Sequence, residues 1–215
     1  MIAAEKPLPQ TKSDRWVRRK CMLEHLAKNP DLEFQPVTPK RWADFESLFG
    51  ARGACGGCWC MLWRLTRKEF EKQKGEANRQ AMKAIVASGE IPGLLTYIKK
   101  RPVAWCSVAP RQRYPALERS RVLKRIDDQP VWSISCFFIH KDYRKQGLSV
   151  RILEGVVAYV KKHGGKIVEG YPIEPQKGKT ADVFAWTGLA SFFIKAGFVE
   201  CARRSETRPV MRYFI

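Results

Sequence analysis

One junction constrains this chain more than any other stretch: residues 136–153, CFFIHKDYRKQGLSVRIL. The nine residues VWSISCFFI, 131–139, are β-rich and apolar on both faces, as a central strand requires. From Leu148 the period changes. Leu148, Ile152, Val156, Val157 and Val160 fall on one helical face, with Lys161, Lys162 and His163 in the last turn and Gly164 after it. A buried strand thus feeds a basic loop, and the loop meets a helix at a glycine. The first N–H groups of that helix have no partners within it and sit at the positive end of its dipole. Gly147 lets a ligand approach the backbone, and Arg144 and Lys145 add charge. The junction is an anion cradle.

Familiar phosphate motifs do not explain it. No G-x-G-x-x-G is present, and GKT at 178–180 has Ile173 where a Walker loop needs its first glycine. The remaining pattern extends the alternation of strand and helix. LEFQPVT predicts a strand. In TPKRWADFESLFG, Thr38 can cap, Pro39 takes the first helical position, and Trp42, Phe45, Leu48 and Phe49 share a face. TRKE, 66–69, is a capping box opening a polar helix that continues through Ala81, Met82 and Ile85. GLLTYI, KKRP and VAWCSV predict a hairpin. Residues 110–130 hold three prolines and predict an excursion with one helical turn. KIVEGY reads as a strand, TGLASFFIKAGF as a helix ending at Gly197, and VECARR with PVMRYFI as a closing hairpin. The order predicts a mixed α/β (α+β) sheet flanked by helices. Residues 1–33, with a basic helix over 14–28, read as an N-terminal extension, and 34–215 as the domain.

Charge and cysteine bound the partners. Forty Lys and Arg against 21 Asp and Glu give +19, a field that attracts anions generally. The start lacks an apolar signal core, and no run reaches the length of a membrane span, so a soluble, cytoplasmic protein is expected. Seven cysteines cannot all pair internally, and reduced thiols are expected. Three lie in GACGGCWCMLW, as Cys55, Cys58 and Cys60. Zinc prefers four ligands, often as two separated pairs. Cys21 or His25 can complete a set, but the spacing is a poor match and no metal is expected. The stretch reads as a reduced, glycine-hinged loop packing Trp59, Met61 and Trp63. Cys136, in the central strand, reads as a buried thiol.

In this context Arg144, Lys145, Gln146, Gly147, Leu148 and Ser149 resemble the Q/R-x-x-G-x-G/A signature of the Gcn5-related N-acetyltransferase (GNAT) family. Ser149 replaces the final Gly or Ala. FFIHKDYR resembles the lead-in and FFIKAGF the late helix, and the likeness spans about 35–214. GGCWCMLWR, VAWCSVAPR and VEGYP resemble a bacterial subgroup. The resemblance implies the acyl-CoA fold with splayed fourth and fifth strands, and acetyl-CoA as cosubstrate. Strand backbone at Phe137, Phe138 and Ile139 would meet the pantetheine arm, and the N–H groups of Lys145 to Ser149 the pyrophosphate. It implies acetyl transfer to a primary amine of a small molecule or protein. Glu169 is the first candidate base and Glu174 the second, though Glu169 reads equally as a solvated or salt-bridged strand residue. The family's late-helix tyrosine is replaced by Phe193, leaving Tyr171 or solvent as the acid. Two alternatives stay open: a CoA-binding regulator without turnover, and a basic protein associated with nucleic acid. No nucleic-acid recognition module is visible, so that partner is disfavoured. A homodimer is possible, as members of this fold often pair.

Overall fold

In the computed structural model, residues 31–175 and 186–215 are described; the expected helix over 14–28 lies outside them. Seven strands form one sheet in the order β1-β2-β3-β4-β5-β7-β6. They are β1 (Leu32–Pro36), β2 (Gly93–Ile98), β3 (Arg101–Pro110), β4 (Trp132–Ile139), β5 (Ile167–Gly170), β6 (Val199–Arg203) and β7 (Pro209–Phe214). β4 and β5 are parallel and all other neighbours antiparallel. The sheet takes in Leu32 and Glu33, two residues ahead of the expected boundary, and Leu32–Ile215 forms one unit.

Helix α1 (Trp42–Phe49) buries the four apolar residues the spacing selects. Phe45 meets Trp105 of β3 edge-on at 4.9 Å, and Phe49 meets Phe138 of β4 at 5.5 Å. Gly50, at φ +63°, ends the helix. The expected Thr38 cap is not made: its Oγ1 is buried without a hydrogen-bond partner, and Pro39–Arg41 forms a tighter 3-10 turn first. The Thr66 box is made in full. Glu69 N–H donates to Thr66 Oγ1 at 3.2 Å, and Thr66 N–H to the Glu69 carboxylate at 2.8 Å. The helix it opens, α2 (Arg67–Gln73), stops where Gly75 turns to φ +90°, and α3 (Glu76–Ala87) restarts. One continuous helix was expected there; the glycine splits it.

The hairpin between β2 and β3 turns at Lys99 and Lys100, both at positive φ (49° and 64°). That handedness matches the twist of the flanking strands, which is why a two-residue turn suffices. Helix α4 (Leu148–Lys162) buries Leu148, Ile152, Leu153, Val156 and Val160, and leaves Val157 half-buried. Helix α5 (Ala190–Lys195) buries Phe193. The 110–130 excursion contains a 3-10 turn, Arg111–Arg113, and one α-helical turn, Pro115–Glu118, where a single helical turn was expected. No helix among the described residues is long and apolar enough to cross a membrane.

Candidate active site

The site begins with one extra residue in β4. Register with β3 runs Ser107 against Cys136, then Val108 against Ile134, so Ser135 is a bulge. A bulge bends its strand and ends regular pairing. Pairing with β5 stops at the same place, at Ile134 against Gly170, while β4 runs on to Ile139. The two strands splay, as the resemblance implied. Ser135 is held by a hydrogen bond from its hydroxyl to Ser107 Oγ at 3.0 Å.

His140 N–H donates toward β3, to Val103 O at 2.9 Å, whereas Phe137 N–H points into the splay. Alternation puts Phe137 and Ile139 on the gap side. The Phe137 N–H is already engaged, donating to Trp186 O at 2.6 Å. The carbonyl of Ile139 accepts from Arg144 Nε at 2.9 Å. The Phe137 N–H and the Ile139 carbonyl thus already have partners within the chain, and Phe138 is paired with Trp105 of β3.

At the far end of β4 lies the cradle. Lys145 (φ 61°) and Gly147 (φ 74°) are both left-handed, and Gly147 immediately precedes α4 with no side-chain cap. A Cβ on Gly147 would meet nothing within 4 Å, so space is open over the helix start. Gln146 braces the loop through Asp142 O at 2.9 Å, and Leu148 turns into the core. A groove of about 510 Å³ runs from Arg144, Lys145 and Ser149 along Phe137, Phe138 and Ile139, with Phe192 and Phe193 opposite. The residues fit an extended ligand with an anionic end.

Trp186, Ala54, Cys55, Phe137 and Phe138 also border a second, smaller space of about 180 Å³. Its remaining walls come from Phe49, the cysteine loop and Cys136 of β4. That loop folds through Gly53, Ala54, Gly56, Gly57, Trp59 and Cys60, all at positive φ. Gly53 is required by contact, because a Cβ there would lie 2.4 Å from the Trp59 indole nitrogen. Trp59 and Met61 enter the core, while Trp63 stays half-buried and stands 6.1 Å from Trp186. Cys60 Sγ accepts from Trp105 Nε1 at 3.1 Å. Burial raises the Cys60 thiol, but hydrogen bonds from Cys136 and Trp105 outweigh it and hold the thiol below its ordinary value. The same contact with Cys60, together with burial, pushes Cys136 well up. Burial pushes Cys58 up to about 11. Among the described residues no group of three or more His, Cys, Asp or Glu is arranged to hold a metal.

The two residues read as catalytic, Glu169 and Tyr171, line neither space. Glu169 is 1% exposed, and Arg111 Nη1 (2.9 Å) and Arg212 Nε (2.8 Å) bind its two oxygens. Tyr171 OH adds a third hydrogen bond to it at 2.7 Å and contacts Ser133 Oγ at 2.7 Å. Burial and then the Glu169 charge push the Tyr171 phenol well up. The geometry is that of the salt-bridged strand residue. Glu174 is paired with Arg203 at 2.5 Å on the surface. Phe193, fully buried, packs edge-on against Phe137 at 6.0 Å and has no proton to give. Sequence reasoning missed the Ser135 bulge, the Trp186 carbonyl and the wall at Leu62. Two serines spaced within an apolar strand were the available signal for the bulge.

A family profile described as the acetyltransferase (GNAT) family matches residues 59–174. The chain belongs to that family, whose activity is acyl transfer from acetyl-CoA. No curated protein matches it. Among solved structures, a GNAT-family acetyltransferase from Streptococcus agalactiae 2603 is similar. It is 13% identical, with 87% of this chain and 99% of that one covered, at a TM-score of 0.52. One from Listeria monocytogenes 4b F2365 is 6% identical, over 86% and 95%, at 0.53. An agmatine N-acetyltransferase variant is 11% identical, over 86% and 100%, at 0.51. At these identities the likeness shows the fold.

Proposed function

We propose that this chain moves an acetyl group from acetyl-CoA to an amine, with the reaction at the splay of β4 and β5. The observation that carries the reading is the groove that joins an open, glycine-led helix start to the gap left by the Ser135 bulge. The N–H groups from Lys145 to Ser149 hold the pyrophosphate. The pantetheine arm lies along Phe137 to Ile139 and takes the Phe137 N–H from Trp186 O. The thioester carbonyl then sits where groove and pocket meet. A neutral amine attacks that carbon, a tetrahedral oxyanion forms, and the CoA thiolate leaves and takes a proton.

No carboxylate or imidazole lines either space among the described residues. Solvent therefore takes the amine's proton and protonates the thiolate. The rate should follow the acceptor's own ionisation. kcat/KM should rise about tenfold per pH unit up to the amine's pKa, which is about 10 for an alkylamine. An inflection between pH 5 and 7.5 would indicate an enzyme base and contradict this.

The free thiols report the ligand. Cys55 and Cys201 are both exposed, and Cys55 borders the groove. Acetyl-CoA at ten times its Kd should slow alkylation of Cys55 about tenfold and leave Cys201 unchanged. Mass mapping of the labelled peptides reads this.

The primary experiment is a screen of amines that follows thiol release from acetyl-CoA. Release with any amine supports transfer. A second reading, a CoA-binding regulator without turnover, is favoured by Phe193 at the acid position. It requires a thermal shift with acetyl-CoA and no release across the panel.

A further inference from the structure

The 180 Å³ space has a composition unlike that of the groove it joins. Phe49, Cys58, Cys60, Leu62, Trp63 and Cys136 form the walls it does not share. No Asp, Glu, Lys, Arg or His lines it among the described residues. Among the described lining residues a charged ammonium meets no carboxylate and loses its hydration, so the neutral amine is favoured. Its volume is close to that of a cavity of about 150 Å³ that stays dry and takes benzene. Its position also matters. Arg144, Lys145 and Ser149 line the groove and not this pocket, so it lies beyond the shared residues, away from the phosphate cradle.

We propose that the pocket walled by Phe49, Cys58, Leu62 and Trp63 receives the apolar substituent of the acceptor, about one phenyl ring in size, and selects a monoamine. This rests on the acetyl-transfer reading. An acetyl group has only two carbons and is accommodated where groove and pocket meet, so the remaining volume belongs to the second substrate. Diamines and polyamines are rejected, because their distal ammonium finds no carboxylate among the described residues that line the pocket.

The test compares phenethylamine, ethylamine and agmatine at saturating acetyl-CoA. Phenethylamine should exceed ethylamine in kcat/KM by tenfold or more, since one methylene in an apolar pocket is worth about tenfold or more. Agmatine should be slower than either. Leu62→Trp fills the pocket and should cost phenethylamine at least tenfold, while the acetyl-CoA thermal shift persists because Leu62 does not line the groove. Cys58→Met, a smaller filling, replaces it if that variant does not fold. Saturation-transfer NMR with phenethylamine and CoA reads pocket binding independently of turnover; ring contact that Leu62→Trp removes supports the proposal. Agmatine or ethylamine preferred, or no ring contact, overturns it while a persisting acetyl-CoA shift keeps the parent reading intact. Benzoyl-CoA preferred over acetyl-CoA with ethylamine also overturns it, by giving the pocket to the acyl chain. Loss of the acetyl-CoA shift in the wild type is a failure of the parent reading instead.

Discussion

Glu169→Ala should lower the thermal midpoint by roughly 10 °C and leave acetyl-CoA binding in place. The carboxylate is the hub of a buried network. Arg111 spends its other donors on Glu118 Oε1 (2.7 Å), Tyr171 OH (2.6 Å) and Leu123 O (2.8 Å). Arg212 grips Asp127 with two nitrogens, at 2.6 and 2.9 Å. Both arginines are nearly inaccessible, at 4% and 3% exposed. Removing Glu169 leaves two guanidinium groups buried without their shared counterion. Breaking such a pair costs about 3–5 kcal/mol, and a chain of this length loses about 2–4 °C per kcal/mol. The network also ties the 110–130 excursion to the sheet, and Arg204 assists by donating to Lys124 O at 2.6 Å. Glu169→Gln separates a structural role from a catalytic one. A structural hub loses stability and keeps turnover per folded molecule; a general base keeps stability and loses kcat.

Acid should loosen the same latch. The Arg212 hydrogen bonds hold the Asp127 carboxyl below its usual range. A depressed folded pKa means that its contribution is complete above about pH 4. It is then lost as pH falls through the lowered value. Thermal melts from pH 6 down to pH 3 check the sign.

Gly147→Glu should weaken acetyl-CoA on the order of 100-fold. Two effects act together. At φ +74° any side chain strains the backbone, by about 1–2 kcal/mol. The new carboxylate would also occupy the open space over the start of α4, where the account puts the pyrophosphate, and like charges so juxtaposed cost several kcal/mol. Gly147→Ala isolates the first effect and should retain measurable binding. Equal losses in both variants would attribute the effect to backbone strain and remove the charge argument.

The elements that local chemistry controls were legible. The change of period at Leu148, the Thr66 capping box and the aromatic face of α1 depend on neighbours within a few residues, and all three stand in the structure. Features built by distant partners were not. The Ser135 bulge exists because Ser107 and β3 fix the register. The role of Glu169 depends on Arg111 and Arg212, which lie 58 and 43 residues away. A glutamate in an apolar strand is equally compatible with catalysis and ion pairing until its partners are known. Trp186 is similar: its carbonyl reaches Phe137 across the splay, and no local pattern announces it. In the cysteine loop the glycine dependence was legible, and Gly53, Gly56 and Gly57 all take positive φ. Trp63 is legible as part of that loop, but Leu62 becomes a wall only with Phe49 and Cys136 beside it.

Hydrogen exchange with and without saturating acetyl-CoA tests the central claim most directly. The expected result is protection confined to the amides of Phe137 to Ile139 and of Lys145 to Val150, with β6 and the Glu169 network unchanged. Unaltered exchange at the start of α4, or protection centred elsewhere on the sheet, would contradict it.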